Sequence, residues 1–504
     1  MDNNSGQAYS LKTRTAKTLK WNLIDRLSSQ VLYAVTGIVL ARLLSPDDFG
    51  LVGAVLVFQA FASLLVDSGF SSALIQRKNP TREDYSTVLW FNLIVAAVIY
   101  VLLWLCAPLI ADCFQSDRRL IPLSRLMFLT FILNASSIVQ VNRLMKRMDM
   151  KPVAIANAVS LAAGGAVGII LALKGYGAWA IVWQSIVLSA VKSGLLWLTQ
   201  RWSPVAVLSL TRLRGYFSIG SRMMMTSFLN TVFQNIYSFV IGNRAGMVQL
   251  GYYTQSDKWS KMGVMSVYQI LTSSFLPALS AVQDEPERFN RVSAKMNRFT
   301  SYISFPAFTC LAVMATSIFH VLFGTKWDPS ILLFQLLLLR GIFTVFIGYY
   351  NNVLLALGHA RAIMWMEILR DSVAIIALIV TIPFIGVSRG NDIVYGLTIL
   401  LYGQIAASAI TWLATLWIVA RNTHRAMRHY LADMLPYATM SLAAALMMHL
   451  SGKAMDSATM QLIIMTITGL AVYIGLGKAT GSVIQREVLC YIFKKGNNLS
   501  KFDR

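Results

Sequence analysis

Trp21-Asn-Leu-Ile-Asp-Arg-Leu-Ser-Ser-Gln-Val-Leu-Tyr-Ala-Val-Thr-Gly-Ile-Val-Leu-Ala-Arg-Leu-Leu44 is followed by Ser45-Pro-Asp-Asp48 and then by a second apolar run, Leu51 to Leu74. Each run is long enough to cross a hydrocarbon core, which takes about 20 helical residues, and Ser45 to Asp48 is the turn between them. The stretch reads as a transmembrane hairpin. Within its first helix Asn22, Arg26, Ser29, Tyr33 and Thr36 step by four, three, four and three residues, so they share a narrow stripe with Asp25 beside it. Such a stripe faces protein or water rather than lipid.

The pattern recurs 201 residues later: Leu250-Gly-Tyr-Tyr253 lines up with Phe49-Gly-Leu-Val52, and the polar stripe follows. Asp25 falls on Thr226, Ser29 on Asn230, Tyr33 on Gln234 and Thr36 on Tyr237. At an offset of 210, Asn142-Arg-Leu-Met145 matches Asn352-Val-Leu-Leu355 and Lys151 matches Arg361. The chain reads as duplicated.

Composition agrees with the hairpin. Of 504 residues 56% are hydrophobic and 13% charged, and the apolar ones come in long blocks with short charged connectors, which is the composition of a polytopic membrane protein. All-α architecture is expected, with about fourteen helices at 18–44, 47–74, 84–110, 119–143, 152–173, 177–199, 214–242, 248–280, 290–323, 329–357, 361–385, 391–420, 431–450 and 459–478. Residues 1–17 are polar and basic with no apolar core, so no cleavable signal peptide is expected. Alternate connectors are basic, as at Arg77, Lys78 and Arg82, at Arg143, Lys146, Arg147 and Lys151, and at Arg421, Arg425 and Arg428. By the positive-inside rule these connectors and both termini are cytoplasmic. An even number of helices per repeat gives two lobes related by an axis along the membrane normal. The expected divisions are 1–205 (helices 1–6), 206–425 (helices 7–12) and 426–504 (two additional helices and a cytoplasmic tail).

Several functions are excluded on the same grounds. The net charge of +22 follows from the cytoplasmic loops and does not signal nucleic acid. No connector has room for a soluble catalytic or ATP-binding domain, and Gly475-Leu-Gly-Lys478 lacks the flanking residues of a phosphate loop. Cys106, Cys113, Cys310 and Cys490 show neither metal spacing nor a disulfide framework and read as small apolar fillers. The chain is expected not to be an enzyme, with no metal and no cofactor.

Ala41-Arg-Leu-Leu-Ser-Pro-Asp-Asp-Phe-Gly50, Asp67-Ser-Gly-Phe-Ser-Ser-Ala-Leu-Ile-Gln76, Leu250-Gly-Tyr-Tyr253 and Phe275-Leu-Pro-Ala-Leu-Ser-Ala-Val-Gln283 resemble the polysaccharide transporter family of O-antigen flippase type. That family belongs to the multidrug/oligosaccharidyl-lipid/polysaccharide exporter superfamily. The resemblance implies two six-helix lobes around a central cavity that opens alternately to each side. It also implies a polyprenyl-pyrophosphate-linked oligosaccharide as cargo, export for lipopolysaccharide or exopolysaccharide assembly at the inner membrane, and a lipid-tail groove at helices 13 and 14. Membrane lipids are then partners, a monomer is expected, and association with polysaccharide polymerase machinery fits the role.

Ionisable residues at membrane depth cost roughly 2.5–3.5 kcal/mol each at a helix centre, so they face a cavity or a partner. Here they are mainly cations: Arg26, Arg125, Lys192, Arg222, Lys258, Lys261, Arg298 and Arg340. A cavity lined in this way suits an anion. Arg125, Lys192 and Arg222 are also near enough to helix ends to snorkel, and Arg298 also fits the cytoplasmic face with Lys295. Arg340 lies halfway along its helix. Arg26, Arg125, Arg222, Lys258, Lys261 and Arg340, with Ser29, Tyr33, Asn230 and Gln234 as neutral donors and acceptors, form the candidate substrate site. Helix 7 carries Arg222, Thr226, Asn230, Gln234 and Ser238 as a ridge that suits either a cavity wall or an interhelical hydrogen-bond seam. Asp25, Asp257 and Asp67 are the candidates for coupling to a proton or sodium gradient, while Asp25 and Asp257 equally suit pairing with adjacent cations. Glu367, Arg370 and Asp371 read as a local charge cluster.

A lipid-linked oligosaccharide flippase accounts for the excess of cations, the additional helices and the short connectors. An organic-cation exporter of the same superfamily would favour carboxylates and aromatics, and a membrane-bound sugar transferase would need a large external loop or paired acids with His. The loop charges make a topological prediction. In a cysteine-less background, single cysteines at Asp47, Asp117 and Lys453 are expected to be labelled by an impermeant maleimide from outside, and those at Lys78, Lys151 and Arg425 only from inside. Labelling of Asp47 and Lys78 from the same side would overturn the map.

Overall fold

The structure, a computed structural model, describes residues 2–67, 74, 77, 80–200, 202–390 and 392–493. Within these, side chains are described except at 2–14, 16, 67, 210–212, 214–224, 226, 229, 489 and 491–493. The described residues are almost wholly helical and hold no strand beyond a single bridge, Arg389 to Asp392. In hydrocarbon every backbone N–H and C=O has to be satisfied within the chain, and a helix does this residue by residue.

By packing, the chain divides into two compact units, Met1–Gly251 and Tyr252–Arg504. The first holds α1 (Asp2–Leu43), α2 (Pro46–Asp67), α3 (Arg82–Cys113), α4 (Leu120–Met127), α5 (Thr130–Lys146), α6 (Lys151–Leu173), α7 (Ala178–Gln200) and α8 (Leu210–Ala245). The helix α9 (Met247–Ser280) begins at its edge. The second unit holds the rest of α9 with α10 (Pro286–Val313), α11 (Ala315–Leu322), α12 (Asp328–Ala356), α13 (Ala360–Thr381), α14 (Tyr395–Asn422), α15 (Met427–Lys453), α16 (Ala458–Ala479) and α17 (Val483–Phe493). The packing boundary falls after residue 251, where the repeat led us to expect a division after 205, because α8 lies along α2.

Among the described residues eleven helices are long and apolar enough to cross a membrane, or twelve when α10 and α11 are taken as one span bent by 59°. The chain is a multi-pass membrane protein. The helices α8 and α13 occupy the remaining two of the fourteen expected ranges but fall outside that set, since α13 carries Arg361, Glu367, Arg370 and Asp371 and the uncharged stretch of α8 is made polar by Asn230, Gln234 and Asn235. Helices 4 and 9 were each expected as one continuous segment, and each is broken. The first breaks at Phe128–Leu129 in a tight turn, with Leu129 N–H donating to Leu126 O at 3.1 Å. The second bends at Met314, where the Gln335 amide donates to Ala312 O at 2.8 Å and so competes for the helical ladder. A further short helix, α17, follows the last expected span.

The hairpin turn has a local chemical cause. Ser45 N–H and Oγ both reach Asp48 Oδ2, at 2.9 and 2.7 Å, and Asp48 N–H returns to Ser45 Oγ at 3.2 Å. This reciprocal cap, with Pro46 at the first helical position, starts α2. Thr81 and Asp84 cap α3 in the same way, and the buried Asp84 also holds Arg77 at 3.0 Å. Arg119, in the connector before α4, binds Asp117 at 2.7 Å and Asp47 at 2.6 Å, tying that connector to the first turn of α2.

Glycines set the close approaches in the first unit. A Cβ on Gly50 would stand 1.8 Å from the carbonyl oxygen of Met247, and one on Gly251 1.8 Å from that of Pro46. The first turns of α2 and α9 therefore touch backbone to backbone, through positions that the 201-residue offset makes equivalent. Deeper in, Gly165 of α6 receives the methyl of Thr36, while Gly164 and Gly168 face α7 at Gln184. Small residues four apart are how membrane helices approach closely.

These contacts carry two predictions. Gly50→Ala and Gly251→Ala must each displace a carbonyl, and overpacking of this kind costs about 1–3 kcal/mol. Both are expected to lower the detergent-solubilised melting temperature, whereas Gly194→Ala, whose Cβ would meet open space, leaves it unchanged. Equal melting for all three would show that the approach is not needed. The Arg119 side chain, by hydrogen bonding, holds the Asp117 carboxyl below its ordinary value. This contribution is present above about pH 4, where a free Asp ionises, and is lost as pH falls through the depressed value. The difference in melting temperature between wild type and Asp117→Asn is expected to stay constant from pH 7 to 5 and to shrink only below about pH 4.

Candidate functional site

In the second unit three of the charges expected at membrane depth come together. Lys261 Nζ lies 2.6 Å from Asp257 Oδ2, one turn apart on α9. Arg340 of α12 approaches the other carboxylate oxygen, Nη2 to Oδ1 4.0 Å, and its Nη1 donates to the side-chain oxygen of Gln404 on α14. Gln404 is buried, and its Nε2 has no hydrogen-bond partner among the described residues. Arg340 is thus neither a free cation nor a tightly closed ion pair. One side of its guanidinium is fixed by an amide, and the other faces a carboxylate held chiefly by a different cation.

The backbone dictates this meeting. On α12, Gly341 and Gly348 face Val264 and Tyr268 of α9, where a Cβ would stand 2.3 and 2.0 Å from the respective side chains. Toward the start of both helices, Ser256 Oγ donates to Ser330 O at 2.9 Å and Ser330 Oγ to Tyr252 O at 3.1 Å. Farther along, Asn352 Nδ2 reaches Thr272 O at 3.4 Å. Pinned at these levels, α9 and α12 present Asp257 and Arg340 to each other. Lys258, next to Asp257, points its ammonium at the ring of Trp259, 5.2 Å from the centroid.

In the first unit the stripe of α1 divides. Both carboxylate oxygens of Asp25 accept from Asn157 Nδ2 on α6, at 3.0 and 3.1 Å, and Oδ1 also from Ser29 Oγ at 3.3 Å. Lys192 of α7 lies within electrostatic reach of the same carboxylate. Arg26 and Tyr33 are exposed. Thr36 is buried in the seam with Gly165, its hydroxyl turned back to Leu32 O. Asn230 and Gln234 of α8 are exposed, one turn apart. Arg125 stands apart from all of these: its guanidinium stacks on Trp104 of α3 at 4.0 Å and Nε donates to Trp104 O at 3.2 Å. The side chains of Arg222 and Asp67 lie outside the described residues.

Of the expected acids, Asp257 has the nearby cation that the pairing alternative requires, Lys261 one turn away, whereas the close partners of Asp25 are the neutral Asn157 and Ser29. Arg298 pairs with Asp433 at 3.4 Å, and Lys295 with Glu487 at 2.9 Å, in a separate cluster. Sequence reasoning missed Gln404 and Asn157. Each is a lone amide in an apolar stretch, belonging to no stripe, and only the fold gives it a charged partner.

Comparison with known proteins places this geometry. Succinoglycan biosynthesis transport protein ExoT of Rhizobium meliloti (strain 1021) is 26% identical over 366 residues, 71% of this chain and 73% of its own. Lipopolysaccharide biosynthesis protein WzxC of Escherichia coli (strain K12) is 26% identical over 336 residues, 66% of this chain and 68% of its own. Among solved structures, lipid II flippase MurJ in an inward closed conformation superposes with a TM-score of 0.72 at 13% identity, covering 94% of this chain and all of its own. An inward-facing multidrug resistance MATE transporter of the MOP superfamily gives 0.59 at 14% identity, over 79% of this chain and 98% of its own. The chain therefore has the fold of these transporters. Its residues 39–332, more than half its length, match the model of the polysaccharide biosynthesis protein family, and the chain belongs to that family.

Proposed function

We propose that this protein is a flippase that moves a polyprenyl-pyrophosphate-linked oligosaccharide across the cytoplasmic membrane by alternating access, in the assembly of a surface polysaccharide. The observation that carries the reading is Arg340, a cation at membrane depth whose hydrogen-bonding fork is only half engaged, in a member of a polysaccharide biosynthesis family. The relatives named for succinoglycan transport and lipopolysaccharide biosynthesis support it, as does the likeness of fold to a lipid II flippase. With this reading go fourteen crossings, two lobes at 1–205 and 206–425, cytoplasmic termini and a monomeric carrier.

The chemistry follows from the geometry. Two opposite charges 4 Å apart attract by roughly 4 kcal/mol at an effective dielectric constant near 20. A phosphate presenting two oxygens to the fork of Arg340 adds charge-assisted hydrogen bonds that the Asp257 carboxylate at 4.0 Å lacks. The exchange does not strand the acid, because Lys261 stays 2.6 Å from its other oxygen. Gln404 holds the arginine in place before and after. Arg26, exposed on α1, is the matching cation of the first unit, and Ser29, Tyr33, Asn230 and Gln234 serve the sugar hydroxyls. Asp25 and Asp257 are the groups through which a proton or sodium gradient would couple.

Arg340→Ala is expected to abolish export, Arg340→Lys to keep the charge, lose the fork and retain part of it, and Arg26→Ala to lower export at least about tenfold. All should reach the membrane at normal abundance. The measurement is complementation of a flippase-deficient strain alongside extracted protein yield. Well-folded alanine variants that export polysaccharide at the wild-type rate would remove both arginines from the site. Resistance to organic cations conferred by the wild-type chain, without complementation, would favour the multidrug-exporter alternative.

A further inference from the structure

A second concentration of positive charge lies in the Tyr252–Arg504 unit, away from Arg340. Arg291, Lys295 and Arg298 recur along one face of α10, at intervals of four and three residues, and line a cavity of about 470 Å³. Arg425, from the turn before α15, and Glu487, from α17, complete the polar wall, with Ala294, Val483 and Ile484 as apolar floor. Cavities that take small ligands start at roughly 300 Å³.

The charges here do not cancel. Lys295 pairs with Glu487 at 2.9 Å, while Arg298 and Arg425 share Asp433 at 3.4 and 2.7 Å. Two acids therefore serve four cations, and Arg291 makes no ion pair among the described residues. Two polar atoms buried here also lack partners among the described residues. Arg425 Nη1 has no acceptor, although Nη2 is bound and the guanidinium stacks on Tyr430 at 4.7 Å. Asn290 Oδ1 has no donor, although its Nδ2 is bound to Thr423 O at 2.9 Å. A buried guanidinium donor left unsatisfied is costly, and an anion is the ligand that removes the cost.

The anion's chemistry follows from the donors. Three of the four cations are arginines, whose planar forks match phosphate oxygens. The cavity sits at the ends of membrane-spanning helices, in the first turns of α10 and just before α15, where headgroups lie. One wall is α17, which is docked by the buried Ile484 and by Gln485 donating to Ile474 O at 2.8 Å. The geometry points to a second anion site, one that takes the phosphate of an acidic phospholipid headgroup from the adjacent leaflet and thereby clamps α17 to α10. Basic pockets between spanning helices serve acidic headgroups in this way. The assignment is independent of the transported cargo, since none of these residues belongs to the Arg340 cluster.

The test uses the full chain in mild detergent. Native mass spectrometry would count phosphatidylglycerol and phosphatidylcholine adducts for wild type, Arg291→Glu and Arg291→Gln, and melting would be followed with each lipid and with millimolar inorganic phosphate. Arg291 is exposed and unpaired, so both variants should melt like wild type without lipid. The expected result is retention of phosphatidylglycerol over phosphatidylcholine, lowered about tenfold in Arg291→Glu and less in Arg291→Gln. Equal retention of the two lipids, or equal retention by wild type and Arg291→Glu, would overturn the site. Stabilisation by inorganic phosphate with none by phosphatidylglycerol would overturn the lipid as its source. Export need not change in either variant, so failure here and failure of the flippase reading are separate results.

Discussion

Hydrocarbon offers nothing to hydrogen-bond, and this constraint shapes the protein at every level. The backbone answers it with helices, and the deep polar side chains answer it with one another. Asp25 is held by an amide and a hydroxyl, Asp257 by an ammonium and a guanidinium, and Arg340 by an amide on one side. Breaking a buried pair by removing one partner is strongly unfavourable, so a residue in such a set can be exchanged for ligand only if what remains is still neutralised. The triangle of Lys261, Asp257 and Arg340 meets that requirement, whereas the direct contacts of Asp25, to Asn157 and Ser29, are with neutral groups.

Helix ends carry the other half of the electrostatics. Caps such as Ser45 with Asp48 and Thr81 with Asp84 use side chains only a turn away, so the sequence encodes them locally. Longer ties, such as Arg119 to Asp47 and Lys295 to Glu487, join connectors that are far apart in the chain. These link the spans without placing charge in the hydrocarbon. Arg125 is an intermediate case: its stem lies along α4 while its head rests on Trp104, an arrangement suited to the interface.

The ranges of the eleven or twelve apolar spans were legible because hydropathy acts over about 20 residues and is indifferent to what each span touches. The turn at Ser45 to Asp48 was legible because capping is local. The bend at Met314 was not: its cause is Gln335, on the next long helix, and nothing in Cys310 to Thr316 announces it. The clustering of Asp257 with Lys261 could be anticipated from their spacing of four. Gln404 could not, since a single amide among leucines looks the same whether it faces a charge or another helix. For the same reason Arg340 was recognised as deep, while its half-engaged state appeared only with its neighbours in place. The helix α17 was passed over because eleven residues are too few to span a membrane, although they are enough to wall a cavity.

The glycine contact between the starts of α2 and α9 has the form of an isologous interface: position 50 meets 247 while 251 meets 46, each side using the equivalent surface. In a symmetric dimer one substitution at such a place is felt twice, because both copies change together. Within one chain each glycine can be altered alone, so the two sides of the contact are free to differ in sequence while still having to meet. Gly50 and Gly251 are both retained here. A carbonyl fills the space beside each glycine, so a side chain at either position meets the same obstacle and the contact stays symmetric where the backbones touch.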